Sequence, residues 1–357
     1  MAGSLPPADL RPVYIHNRKF IGSKQNLLDF IGGVISARAP EARTAADLFA
    51  GSGVVADYLA QRGLRVVAAD HLFCNYVPVR AFLATPPGAV DPERLGRLLR
   101  ELNALPGRQG YAWTHYGGTY FTHENAARID AIRDQIAHWQ ETGAIGEAEA
   151  MLLLTSLLYA ADKVANTCGQ YDAYLKHLGR EPYAPDGTHL VDASAYRPLE
   201  LGWPMYRPDG DRHRVYLADA NQLVREVEVD LLYLDPPYNT RQYVDNYHVL
   251  ENLARWEKPP LRGKTRKFDR TGLKSPYSSR TRAAAALADL VRAARCRHIL
   301  LSYSSDGIIP PAEIVAILAT RGPVEVFEHP YRIFGNGAGR SRRRPVVERI
   351  FYCRVQD

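Results

Sequence analysis

"TAADLFAGSGVVADYL", Thr44 to Leu59, runs from an apolar strand through two glycines into a helical pattern. Gly51 and Gly53 let backbone approach a ligand at the start of the helix, where unpaired N–H groups favour polar or anionic atoms. A dinucleotide fingerprint of the form GxGxxG would need a third glycine at position 56, where Ala56 stands, so a nicotinamide dehydrogenase is disfavoured. The following strand, "RVVAAD", ends on Asp70. A carboxylate there accepts hydrogen bonds from both hydroxyls of a ribose, which points to an adenosine-containing ligand; capping of the next turn is the alternative use.

The same rhythm continues outward. "RVYLAD" (Arg214–Asp219), "DLLYLD" (Asp230–Asp235) and "HILLSYS" (His298–Ser304) are short apolar runs separated by helical patterns, which predicts a doubly wound, mostly parallel α/β sheet. "VEVFEH" (Val324–His329) and "VVERIFYCRV" (Val346–Val355) close the chain as a hairpin-like pair, with an antiparallel last strand expected. Between Asp70 and Arg214 the rhythm stops. Two long helical patterns take over, one from Thr122 as N-cap to Gly143 and one from Gly146 to a C-cap at Gly169. The expected division is therefore 1–75 and 214–357 as two parts of one domain, with 76–213 inserted as a mainly helical module.

Bulk properties narrow the class. At 357 residues and 46% hydrophobic content the chain is an ordinary folded protein, with no apolar run of membrane-spanning length and no basic-then-apolar start. The cytoplasm is the expected compartment. Cys74, Cys168, Cys296 and Cys353 lack pairing or CxxC spacing, which argues against a disulfide framework and a zinc site. The net charge of +6 is a mild pointer to a polyanionic partner, and its distribution says more. Arg255 to Arg282 holds ten Lys or Arg against two acids, and "GRSRRR" spans Gly339–Arg344. Each run is either a phosphate-binding loop or a solvated face.

The stretch "DLLYLDPPYN", Asp230–Asn239, stops a buried strand on an acid, two prolines and an aromatic. At the carboxyl edge of an open sheet, four stiff residues suit a fixed geometry for chemistry; a simple strand stop is the plainer use.

Taken together, "FIGSK" (Phe20–Lys24), "DLFAGSG" (Asp47–Gly53), Asp70, "LAD" ending at Asp219 and "LDPPY" ending at Tyr238 resemble the Dam-like, alpha-class DNA adenine-N6 methyltransferases, in order as well as content. The resemblance implies a Rossmann-like class I methyltransferase fold with S-adenosylmethionine as cofactor, double-stranded DNA as substrate and an inserted target-recognition region. Phe49, Ala50, Gly51 and Gly53 would wrap the methionine part of the cofactor, Lys24 would meet its carboxylate, Asp70 its ribose, and Asp219 with Ala220 its adenine. Asp235 and the carbonyl of Pro236 would accept hydrogen bonds from the exocyclic amine of the target adenine. Pro237 stiffens the corner, and Tyr238 gives a face for a base rotated out of the duplex.

Given DNA as substrate, Arg262, Lys264, Arg266 and Lys267 are expected on phosphates, with Arg342, Arg343, Arg344 and Lys19 as further candidates. A cognate restriction endonuclease is a possible partner, and the nucleoid the place of work. Tyr243 and Tyr247 either close over the pocket or pack a helix face; Tyr171, Tyr174 and Lys176 are candidate DNA contacts, with the tyrosines equally suited to a core. Other readings stay open: a methyltransferase of this fold acting on cytosine N4, RNA or protein glutamine, and a catalytically silent DNA-binding protein.

Overall fold

The protein is described by a computed structural model covering residues 6–176, 178, 193–331 and 346–356. It forms two compact units. One comprises Met1–Gly22, Leu72–Arg214 and Val244–Thr271; the other comprises Ser23–His71, Val215–Tyr243 and Gly272–Asp357. The stretches 1–22 and 244–271 thus fold with the insertion.

The second unit carries a seven-stranded sheet: β1 (Thr44–Asp47), β2 (Arg65–Asp70), β3 (Arg214–Leu217), β4 (Glu228–Leu234), β5 (Arg295–Ser304), β6 (Val324–Tyr331) and β7 (Val346–Arg354). Their spatial order is β3-β2-β1-β4-β5-β7-β6. β1 runs parallel to β2 and β4, and β4 parallel to β5, while β7 is antiparallel to both β5 and β6. The expected mostly parallel sheet with an antiparallel last strand is therefore present. Chain order reverses between β1 and β4, and that switch point is where such sheets open a crevice beyond their carboxyl ends.

The central strands are buried on both faces, which is why they read as continuous apolar runs: Leu231 to Leu234 are all buried. One face carries Ala46, Leu48, Leu232, Leu234, Ile299, Leu301, Phe351 and Cys353 against Leu287, Leu290, Ile314 and Leu318 of helices Ala283–Ala293 and Pro311–Ala319. Burial of this kind contributes about 25 cal/mol per Å² of apolar surface.

The other unit is mainly helical. Helix His123–Glu141 starts where expected, with Thr122 Oγ1 accepting from the Asn125 amide. Helix Glu147–Lys163 stops six residues short of the expected Gly169 cap. Asn166 accounts for the early end: its side-chain amide donates to the carbonyls of Thr119 and Leu175, a loop-organising use that competes with helix continuation. Helices Phe73–Ala84 and Pro92–Ala104 were not anticipated. The first contains Pro78, and its N-terminal amides at Phe73 and Cys74 are capped from a distance by the buried Glu251 carboxylate. The second carries an ordinary start signal, Asp91 as N-cap before Pro92. Among the described residues no helix is long and apolar enough to cross a membrane.

Candidate active site

The glycine turn follows β1. Gly51 (φ 53°) and Gly53 (φ 82°) both take left-handed conformations that residues with a Cβ rarely adopt, and Gly53 sits at the N-cap of helix Val54–Gln61. The turn is tied to β2 twice: the Ala50 amide donates to the Ala69 carbonyl, and the Gly51 amide donates to Asp70 Oδ2 at 2.8 Å. Asp70 therefore anchors the turn and is half-buried. Phe49 meets Tyr277 edge-on, with ring centroids 5.0 Å apart. The Tyr277 hydroxyl donates to Asn221 Oδ1, and Asp219 caps the short helix Ala220–Leu223 by accepting from the Asn221 and Gln222 amides. Phe49 and Asp219 are thus linked through Tyr277 and Asn221, and the Ala218 amide donates to the Asp70 carbonyl. Tyr277 escaped the sequence reading, since it lies in a Lys- and Arg-rich run with no strand or helix signature.

The corner follows β4, beside β1. Proline fixes its own φ and pushes the preceding residue to an extended conformation, so Asp235-Pro236-Pro237 allows little freedom. Tyr238 is held behind it: its carbonyl accepts from the Ile308 amide, and its ring lies edge-on to Tyr303 at 6.2 Å. A Cβ at Gly307 would fall 2.0 Å from the Tyr303 ring, so glycine is what lets that ring sit there. Beyond the corner, Gln242 pairs its amide with the Ser275 backbone, accepting from the nitrogen at 2.7 Å and donating to the oxygen at 3.1 Å.

Alternation along the strands puts a polar set on one sheet face. Asp47 registers with Tyr233 and Tyr233 with Leu300; two residues further along, Asp235 and Ser302 follow on the same face, and Glu348 of β7 registers with Ser304. Lys24 completes the set. Its ammonium is 2.9 Å from Asp235 Oδ1, 3.3 Å from Glu348 Oε1 and 5.7 Å from the Tyr238 ring centroid. Burial pushes the Asp235 carboxyl up to about 6 despite the pull of Lys24. Asp47, deeper and beside Asp235 and Asp70, is pushed up to about 8, chiefly by burial. Lys24 itself is held cationic by the two carboxylates. The carboxylate partners of Lys24 in this structure belong to the chain, where a ligand carboxylate was expected.

Within the helical unit, the basic stretch folds as a tight hairpin. Arg262 and Lys267 exchange backbone hydrogen bonds, and Gly263 (φ 70°) and Arg266 (φ 53°) turn the loop between them. The Thr265 carbonyl is pinned by the Tyr120 hydroxyl and His248 Nε2. Arg262, Lys264 and Arg266 are exposed. Lys267 is instead engaged by Asp172 at 2.6 Å and Asp245 at 3.2 Å. Lys19 is exposed, with its backbone amide on Asp162. Tyr247 is fully buried: its ring stacks on Phe20 at 5.0 Å and its hydroxyl accepts from the Ile21 amide. Tyr171 is likewise a core residue, donating to Asp162, and Tyr174 packs edge-on against Tyr120. Arg342, Arg343 and Arg344 lie outside the described residues.

Residues 20–317 match the D12 class N6 adenine-specific DNA methyltransferase family. The chain belongs to that family. Its relatives include the Type II methyltransferase M.NlaIII of Neisseria lactamica, 35% identical over 95% of this chain and 98% of the relative. The Modification methylase StsI of Streptococcus sanguinis is 33% identical over 94% of this chain, which spans 51% of that longer protein. The Type II methyltransferase M.CviAII of Paramecium bursaria Chlorella virus 1 is 30% identical over 88% of this chain and 92% of the relative. The motif resemblance and the adenine-N6 DNA methyltransferase reading are therefore borne out, and the family match favours adenine N6 over cytosine, RNA and glutamine.

Proposed function

We propose that this D12 methyltransferase methylates the N6 amine of an adenine rotated out of double-stranded DNA, at the Asp235–Tyr238 corner. The observation that carries the reading is the neighbouring exit of β1 and β4 at the switch point: one leads into the glycine turn and the other into the corner. S-adenosylmethionine, when bound, supplies an electrophilic methyl on a sulfonium. The residues beyond β1 and β2 fit that cofactor: a left-handed glycine turn, a half-buried carboxylate and an aromatic pair formed by Phe49 and Tyr277. Asp70 holds the turn and takes the ribose hydroxyls, while Asp219 and Ala220 border the adenine side.

Asp235 and the Pro236 carbonyl accept the two N–H bonds of the target amine. That restrains the nitrogen's lone pair from delocalising into the ring and aims it at the methyl, which is positioning rather than acid–base catalysis. Asp235 is 18% exposed, enough for an amine to reach it. Tyr238 stacks on the base, because the amine is inaccessible while the nucleotide stays in the duplex. Lys24 keeps Asp235 ionised at its 2.9 Å contact. Arg262, Lys264, Arg266 and Lys19 meet phosphates, with Arg342, Arg343 and Arg344 as further contacts, while the insertion reads the target sequence. A restriction endonuclease of the same specificity is the natural counterpart, and the enzyme works on the nucleoid in the cytoplasm.

The test is label transfer from S-adenosylmethionine to duplexes by the purified enzyme, followed by digestion to nucleosides. Label in N6-methyl-2′-deoxyadenosine supports the reading; label only in N4-methyl-2′-deoxycytidine, or none from a protein that binds the cofactor, rejects it.

A further inference from the structure

Glu348 is an acid in the middle of a sheet. It is 6% exposed on β7, on the strand that continues through buried Ile350, Phe351, Tyr352 and Cys353. A carboxylate in that setting is costly unless its oxygens are paired. Its Oε1 accepts from Ser302 Oγ at 2.7 Å and lies 3.3 Å from the Lys24 ammonium. Lys24 is 4% exposed and in turn lies 2.9 Å from Asp235 Oδ1. The contacts form a line, Ser302 to Glu348 to Lys24 to Asp235, ending at the corner.

We infer that Glu348 is a positioning residue for methyl transfer: through Lys24 it fixes Asp235 as the acceptor, without touching base or methyl donor. The inference rests on the reading of Asp235 given above. A lysine ammonium is a compact charge on a flexible stem, with no preferred direction of its own. One carboxylate would leave it free to swing around Asp235. The second carboxylate, itself locked by Ser302 across the β5–β7 pair, leaves one place that satisfies both. Asp47, Tyr233 and Tyr238 are the other titratable groups around Asp235; the Tyr233 phenol is held neutral by burial, Asp47 lies across the β1–β4 pair, and the Tyr238 ring packs against Tyr303.

Glu348→Ala is expected to lower kcat about tenfold or more while the KM for duplex and the calorimetric Kd for S-adenosylmethionine stay within about threefold, the pattern of a group that contacts neither ligand. At pH 8 Glu348→Gln is expected to keep kcat within about threefold, because its amide oxygen still accepts from Ser302 and Lys24. Its charge is gone, so the Asp235 carboxyl drops and the acid limb of the rate profile moves to lower pH. In a Lys24→Met background, Glu348→Ala is expected to add no further loss, since both act through one contact.

Wild-type kcat in Glu348→Ala, or losses that multiply in the double variant, would overturn the inference. Should Glu348→Ala fail to fold, Glu348→Gln decides alone: an unmoved acid limb overturns it. Asp235→Ala run alongside separates the two claims. Turnover retained in Asp235→Ala sinks the corner itself, whereas a dead Asp235→Ala beside a wild-type Glu348→Ala sinks only the role of Glu348.

Discussion

Lys24→Met removes the cation from a buried pair of carboxylates, and its effect on the pH profile is large enough to measure. At 2.9 Å from Asp235, a unit charge is worth about 6 kcal/mol in an effective dielectric of about 20. Each pK unit corresponds to about 1.4 kcal/mol, so the ceiling on the shift is about 4 units and a rise of at least about 1 unit is expected. Ionised Asp235 offers only acceptors to the amine, whereas the protonated acid sets an O–H donor in the site and weakens its hold on the N–H bonds. With its carboxyl near 6, kcat/KM of the wild type is expected to fall about tenfold per unit below that pH. In Lys24→Met the same limb moves up to about 7 or beyond, because the Asp235 carboxyl loses its counter-charge and keeps the Glu348 side chain as a neighbour. The assay is kcat/KM against pH with a cognate duplex, together with calorimetric affinity for S-adenosylmethionine. A limb unmoved from the wild type, combined with weakened cofactor affinity, would refute this account and return Lys24 to the cofactor's carboxylate.

Other perturbations test the remaining parts. Asp70→Ala takes an acceptor from the Gly51 amide and, under the proposed cofactor placement, from the ribose, and calorimetry is expected to show cofactor binding weakened by about 1–3 kcal/mol in a folded protein; unchanged affinity contradicts the assignment. Gly307→Ala drives a methyl into the Tyr303 ring and so displaces the support of Tyr238; kcat is expected to fall with cofactor affinity intact, and wild-type turnover would show that the ring is not a support. Neutralising Arg262, Lys264 and Arg266 should weaken binding to cognate and scrambled duplexes alike and flatten the salt dependence by about 0.9 per lost phosphate contact, an effect absent if they form a solvated face. Lys267→Ala should instead lower the melting temperature, because Asp172 and Asp245 lose a partner; a salt slope reduced at unchanged stability would make Lys267 a phosphate contact after all.

The parts legible in the sequence were those governed by local rules. Strand periodicity, the left-handed glycines at 51 and 53, the Thr122 cap and the rigid Asp235–Tyr238 corner each depend on neighbours in the chain. What the sequence hid depends on distant partners. Helix Phe73–Ala84 contains a proline and is capped by Glu251 from another helix, so no nearby residue announces it. The early end of helix Glu147–Lys163 follows from carbonyls that only the folded loop brings to Asn166. Tyr247 suits either a pocket or a core and Tyr171 either a DNA contact or a core, and Phe20 and Asp162 decide for the core. Glu348 left one trace, an acid on the buried parity of an apolar strand. Its meaning required Lys24 and Ser302 to arrive beside it.

The most direct test of the central claim is a base-resolved map of modified bases in DNA from a methylation-free host expressing the wild-type chain, set against Asp235→Ala expressed at the same level. N6-methyladenine is expected at one recurring sequence with the wild type and nowhere with the variant. N6-methyladenine at equal level in both, or N4-methylcytosine as the modified base, would contradict it.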